Sequence, residues 1–188
     1  MLLTYKATLY KQQQDNLEYM RIVEGPAGLR KISGIISRDR GHQTIQSITQ
    51  AEHLGEHTPE ETVKAWAAEG FESKFVDKAD VLFVQLQLSG KDTMELLELR
   101  HQTEVEIDRR LSANGMGRFI AGDLGPGGAN MLFETDDWAT AFQLIIERLN
   151  EAGLASNCLI AKRIYTSEDN WAYDLVYPVA YEGVFNEM

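Results

Sequence analysis

One cysteine, four prolines and the absence of any long apolar run set the first limits on this 188-residue chain. With Cys158 alone, it can form no disulfide within itself and no zinc site from its own cysteines. The neighbours Leu159 and Ile160 predict a buried strand thiol with no activating base beside it. No apolar stretch approaches the roughly 20 residues needed to cross a bilayer. The opening residues, MLLTYKATLYKQQQ, lack the basic start and long apolar segment of a secretory signal, so the cytoplasm is the expected compartment. Basic residues are also scarce, 18 Lys and Arg against 29 Asp and Glu, giving a net charge of −11 and a pI near 4.8. That balance disfavours nucleic acid and anionic membrane unless a local basic patch overrides it.

The charge that is present is divided unevenly. Residues 1–76 carry a formal charge of −1 and residues 77–188 carry −10. Such asymmetry points to two modules and to an acidic interaction surface on the second. Domains of roughly 75–110 residues can each bury a core, so the expected division is 1–76 and 79–188.

In the first module, Leu2–Tyr10, Leu17–Glu24, Leu29–Ser37 and His42–Ile48 read as four strands of an antiparallel meander. Polar Lys11–Asn16, then Gly25-Pro26-Ala27-Gly28, then Arg38–Gly41 supply the turns. A helix follows, with Thr58 as N-cap, Pro59 in its first turn and Glu61 completing a capping box. Val63, Trp66 and Ala67 form its apolar stripe, Gly70 ends it, and Phe71 and Phe75 are placed to pack back onto the sheet.

This succession resembles the WGR domain. In that family a Trp-Gly-Arg-Ile-Gly segment precedes a turn, a Gly- and Gln-rich strand and a helix ending in Gly-Tyr. Here Ser33-Gly34-Ile35-Ile36-Ser37 leads into Arg38-Asp39-Arg40-Gly41-His42-Gln43-Thr44, and the helix closes on Glu69-Gly70-Phe71. Gly34 and Ile36 match the signature; its Trp and Arg are absent. The resemblance implies nucleic-acid binding, with Arg30, Lys31, Arg38 and Arg40 as a basic hairpin edge for phosphates. The other reading of those four residues is a solvated hairpin whose charges keep an edge strand soluble.

In the second module, Val81–Leu88 is an apolar run that reads as a buried strand. Asp92–Ala113 reads as a long helix with apolar Met94, Leu96, Leu97, Leu99, Ile107 and Leu111, closed by Asn114-Gly115. Gly117–Leu124 and Ala129–Glu134 pair as strands. Asp136 or Asp137 caps a second helix, in which Trp138, Ala141, Phe142, Ile145 and Leu149 recur at helical spacing before Ala152-Gly153-Leu154 ends it. Cys158–Tyr165 and Trp171–Val176 are further strands. The order β-α-β-β-α-β is that of the ferredoxin-like split βαβ fold. The expected class is therefore α+β: a WGR-like antiparallel meander with one helix, then a ferredoxin-like module with an aromatic C-terminal tail. The second module also resembles small ferredoxin-like domains of uncharacterised bacterial proteins, a resemblance that carries no functional residues with it.

Motifs for chemistry are sparse. The loop GDLGPGGAN joins two strands rather than a strand to a helix and matches neither phosphate-binding fingerprint, so it reads as a hairpin loop or as a partner-contacting loop. His53 and His57 have metal-ligand spacing, but Gly55 between them argues against one helix face. The acidic pairs Asp136/Asp137 and Glu168/Asp169 sit at element ends, where capping and solubility explain them. No catalytic, cofactor or metal residues are assigned. The expected class is a non-enzymatic protein-binding protein, in its most specific form an immunity or antitoxin-like protein capping a basic toxin domain. Its leading contact residues are Glu134, Asp136, Asp137, Glu168 and Asp169, with Trp171 as apolar anchor. The alternative is a nucleic-acid-associated accessory protein using Arg30, Lys31, Arg38 and Arg40.

Overall fold

The computed structural model describes residues 4–39, 42–73, 78–87, 90–167, 170–179 and 181–187, with backbone alone at 38, 39 and 42–51. In chain order the elements are β1 (Thr4–Gln13), β2 (Asn16–Gly25), β3 (Gly28–Asp39), β4 (His42–His53), α1 (Pro59–Ala68), β5 (Asp80–Leu86), α2 (Thr93–Ala113), β6 (Gly117–Gly125), β7 (Gly128–Thr135), α3 (Trp138–Glu151), a 3-10 turn (Ala155–Asn157), β8 (Cys158–Ser167), β9 (Asn170–Tyr177) and β10 (Gly183–Asn186). The fold is α+β with two five-stranded antiparallel sheets. Two compact units result. One comprises residues 1–77 with 164–172 and 180–185; the other comprises 78–163 with 173–179 and 186–188.

The first unit's sheet runs β1-β2-β3-β4-β10. The turn between β1 and β2 is narrower than the polar segment predicts. Lys11–Gln13 continue the strand, and only Gln14 and Asp15 turn, with Gln14 in the left-handed region (φ 53). The Gln12 side-chain amide donates to the carbonyls of Gln14 and Asn16 (2.6 and 3.0 Å), which ties this tight turn. Helix α1 starts as its sequence indicates. Thr58 Oγ1 accepts from the Glu61 amide (3.2 Å), while Glu61 Oε2 accepts from the Thr58 amide (2.9 Å). The Thr58 amide and then the Thr58 hydroxyl hold the Glu61 carboxyl below its ordinary range. At the far end Gly70, at φ 90, lets the Phe71 amide donate back to Trp66 O (3.1 Å). Phe71 thereby joins Leu9, Ile22, Leu54 and Trp66 in one core cluster. Phe75 lies outside the described residues.

The second unit's sheet runs β6-β7-β5-β8-β9, with β5 antiparallel to both β7 and β8, and β6 antiparallel to β7. Val81–Leu86 of the central strand β5 are all buried, which is why this segment is apolar throughout except at Gln85. Helix α2 packs on β6, β7 and α3, and α3 packs on β5. Both helices end in the Schellman arrangement: Met116 N donates to Leu111 O (2.9 Å) and Leu154 N to Leu149 O (2.8 Å). At the sheet edge, the pairing of β6 with β7 shifts register between Phe119 and Ala121, leaving Ile120 as the extra residue, 40% exposed. Such a bulge twists an edge strand and discourages further strand addition.

Candidate protein-binding surfaces

The acidic candidates are held very differently from one another. Glu134 lies on β7 and faces Arg118 of β6 at 3.5 Å, both side chains being well exposed. Asp136 follows β7 and is exposed. Asp137 is the N-cap of α3: its carboxylate accepts from the amides of Ala139 and Thr140 (3.0 and 3.3 Å) and from the Thr140 hydroxyl (2.6 Å). The Thr140 hydroxyl is the main reason that its carboxyl sits below the ordinary range. Asp137 is thus committed to the helix start. Trp171, on β9, belongs to the first unit, half-buried and edge-to-face with Tyr165 at 6.3 Å. Glu168 and Asp169 lie outside the described residues.

The basic candidates do not share a face where they are described. Arg30 and Lys31 are successive residues of β3 and point to opposite sides of the sheet. Lys31 meets Glu52 of β4 at 3.6 Å. Arg30 alternates with buried Ile32 and Ile36. The side chain of Arg38, and Arg40 altogether, lie outside the described residues. His53 closes β4, and Gly55, with φ 68, turns the chain before His57, so the two histidines are not neighbours on a helix.

The glycine-rich segment has a structural task. Gln85, fully buried in β5, donates through Nε2 to Asn130 Oδ1 (2.9 Å) and to the Asn186 carbonyl (3.0 Å). Asn130 in turn donates to Asp123 Oδ1 (2.7 Å). Gly127 passes over the Gln85 amide so closely that a β-carbon there would overlap it, and at Gly128 a β-carbon would overlap the Leu86 carbonyl oxygen. The loop therefore closes over a buried polar network, and its glycines provide the clearance.

Cys158 opens β8 and is buried, its thiol donating to Ala155 O at 3.3 Å. Burial pushes this thiol up to about 12 from an ordinary 9.0. Below that ordinary value the thiol is protonated in both folded and unfolded chains. As pH rises from about 9 towards 12, the unfolded chain loses the proton and the folded one keeps it, so stability falls across this window. At pH 8 the native thiol is expected to react with iodoacetamide at least about 100-fold more slowly than in denaturant, because the reactive thiolate needs an opened structure. Mass spectrometry of timed samples checks this; equal rates in both states would contradict a buried thiol.

The charge surplus of the second unit is uncompensated at its surface. Arg100, Arg109, Arg110, Arg118, Arg148 and Lys162 pair within the unit with Glu104, Glu106, Glu151, Glu134, Glu106 and Asp80. Exposed Asp92, Glu95, Glu98, Asp136 and Glu147 have no ion pair among the described residues. One surface escaped the sequence reasoning. Helix α2 buries Thr103, Ile107 and Leu111 but leaves Met94 (71%), Leu97 (39%) and Val105 (48%) exposed. The signal was present as a second apolar stripe on the side of the helix opposite Thr103.

No protein-family model, no curated protein and no solved structure matches this chain. Among the described residues, no helix is long and apolar enough to cross a membrane, and no group of three or more His, Cys, Asp or Glu side chains is arranged to hold a metal ion.

Proposed function

We propose that this is a non-enzymatic protein-binding protein whose acidic second unit takes a basic protein partner, in its most specific form the immunity protein of a basic toxin domain. The observation that carries the reading is the ion-pair arrangement of that unit: six of its basic side chains are engaged internally, while Asp92, Glu95, Glu98, Asp136 and Glu147 present net negative charge to solvent. A field of one sign steers an oppositely charged partner and raises its association rate. The strand order β6-β7-β5-β8 supports a ferredoxin-like arrangement for the unit, since β7 lies between the two strands that α2 connects and is antiparallel to both. The four-stranded meander followed by α1 supports a WGR-like arrangement for the first unit. Arg30 and Lys31 face opposite sides of β3 and so do not form one phosphate-contacting edge.

The test is stopped-flow association with the purified product of the adjacent gene at several salt concentrations. Glu134→Gln with Asp136→Asn is expected to slow association several-fold and to flatten its salt dependence. Asp137 is left intact because it caps α3. Salt-independent association that is indifferent to both changes would overturn the assignment.

A further inference from the structure

We infer that a second copy of this chain packs antiparallel against the outer face of α2, with His101 at the two-fold crossing point. At about 100° per residue, Met94, Leu97, His101 and Val105 project within an arc of about 80°, roughly opposite buried Thr103. Met94 is 71%, Leu97 39% and Val105 48% exposed, so the helix carries a second apolar stripe that its own unit does not cover. A groove of about 530 Å³ lies along the first part of this stripe, where Met94, Leu97 and His101 line it with the acidic Asp92, Glu95 and Glu98.

Two features select another copy of the same helix as the occupant. The first is spacing. Leu97 and Val105 each stand four residues from His101, so an antiparallel pair crossing there sets Leu97 of one copy against Val105 of the other. The two-fold axis repeats this contact. The second is charge. Asp92, Glu95 and Glu98 precede the crossing point, and Arg109 follows it on the same flank as Glu95 and Glu98. A two-fold between antiparallel helices brings each flank against itself, so Arg109 of each copy approaches Glu95 and Glu98 of the other. A parallel pair would set this flank against the opposite one and leave Arg109 of each copy about 20 Å along the helix from Glu95 of the other. Arg109 is well exposed and pairs only locally, with Glu106 at 3.1 Å, so it can exchange partners. Arg110 cannot, because both Glu151 carboxylate oxygens hold it at 2.9 Å. The contact spans about 22 Å of helix. Such a patch is smaller than the roughly 1,200–2,000 Å² of a tight interface, so the association is concentration-dependent.

Sedimentation equilibrium of the full chain at loading concentrations from about 5 to 500 μM tests this, the expected result being an average mass rising from 21.2 kDa towards twice that value. Leu97→Glu with Val105→Glu should remain monomeric throughout, with an unchanged melting temperature because both side chains are exposed. Arg109→Glu alone and Glu95→Arg with Glu98→Arg should each weaken association at least about tenfold, and the combined swap should restore it, as antiparallel pairing requires. In His101→Cys, mild oxidation should link two chains, since the native thiol is buried. A constant mass of one chain up to the highest concentration overturns the proposal. So does a dimer that survives Leu97→Glu with Val105→Glu.

Discussion

Arg21→Ala is expected to lower unfolding stability by about 3–5 kcal/mol. Arg21 sits in β2 with no exposed surface, an unusual place for a guanidinium. Its charged carbon lies 4.8 Å from the Tyr19 ring centroid and 5.3 Å from that of Tyr5. A desolvated cation over an aromatic face contributes about 2 kcal/mol, and truncating so long a buried side chain leaves a cavity that costs about 2–5 kcal/mol more. The contributions overlap, which is why the expected total is below their sum. Arg21→Met keeps most of the volume and removes the charge, so it should recover part of the loss. Arg21→Lys keeps the charge but not the planar group that covers both rings, and should recover less. Guanidinium unfolding followed by far-UV circular dichroism gives the comparison. A loss below about 1 kcal/mol for Arg21→Ala would show that the stacked guanidinium contributes little to the first unit.

The second large effect is expected at Gln85. Gln85→Leu keeps the bulk of the side chain but deprives Asn130 Oδ1 and the Asn186 carbonyl of their donor. Asn130 is 1% exposed, so water does not readily replace that donor. A buried acceptor left without a partner costs about 1–3 kcal/mol, and the half-buried Asn186 carbonyl adds less, so the expected loss is about 2–4 kcal/mol. The amide is also what Gly127 packs against, so the hairpin between β6 and β7 should loosen with it. Hydrogen exchange resolves the two consequences: the amides of Gly125 and Gly127–Asn130 should exchange faster even where global stability is partly restored by added osmolyte. Gln85→Leu combined with Asn130→Leu should cost less than the two changes added together, because it removes donor and acceptor at once. Strict additivity in that cycle would sink the idea of a coupled network.

The helix ends show how much was legible. Thr58 with Glu61, and Asp137 with Thr140, cap their helices through bonds two or three residues long, and Gly70, Gly115 and Gly153 sit just past the three C-terminal caps. Such signals need no tertiary context. The strand run Val81–Leu86 was legible for the same reason, since burial on both faces writes itself as continuous apolar sequence. The candidate surface was less so. A carboxylate reads the same whether it caps a helix, like Asp137, pairs with a neighbour, like Glu134, or stands in water, like Asp136. Similarly, Met94 and Leu97 count as core-type residues until the packing of α2 shows which side of the helix is covered.

By itself, then, the sequence determined the α+β order of elements, the helix caps, and the concentration of negative charge after residue 76, because each depends on composition or on residues a few positions apart. Only the tertiary structure decided that β10, a four-residue strand with no strong local signal, adds to the edge of β4. It alone buried Arg21 over two tyrosines and joined Gln85 to Asn130 and Asn186, partners 45 and 101 positions away. The physical reason is that burial and hydrogen-bond satisfaction are settled by whatever the fold brings alongside. A short strand or a single polar side chain among apolar neighbours has no periodicity from which that partner can be read.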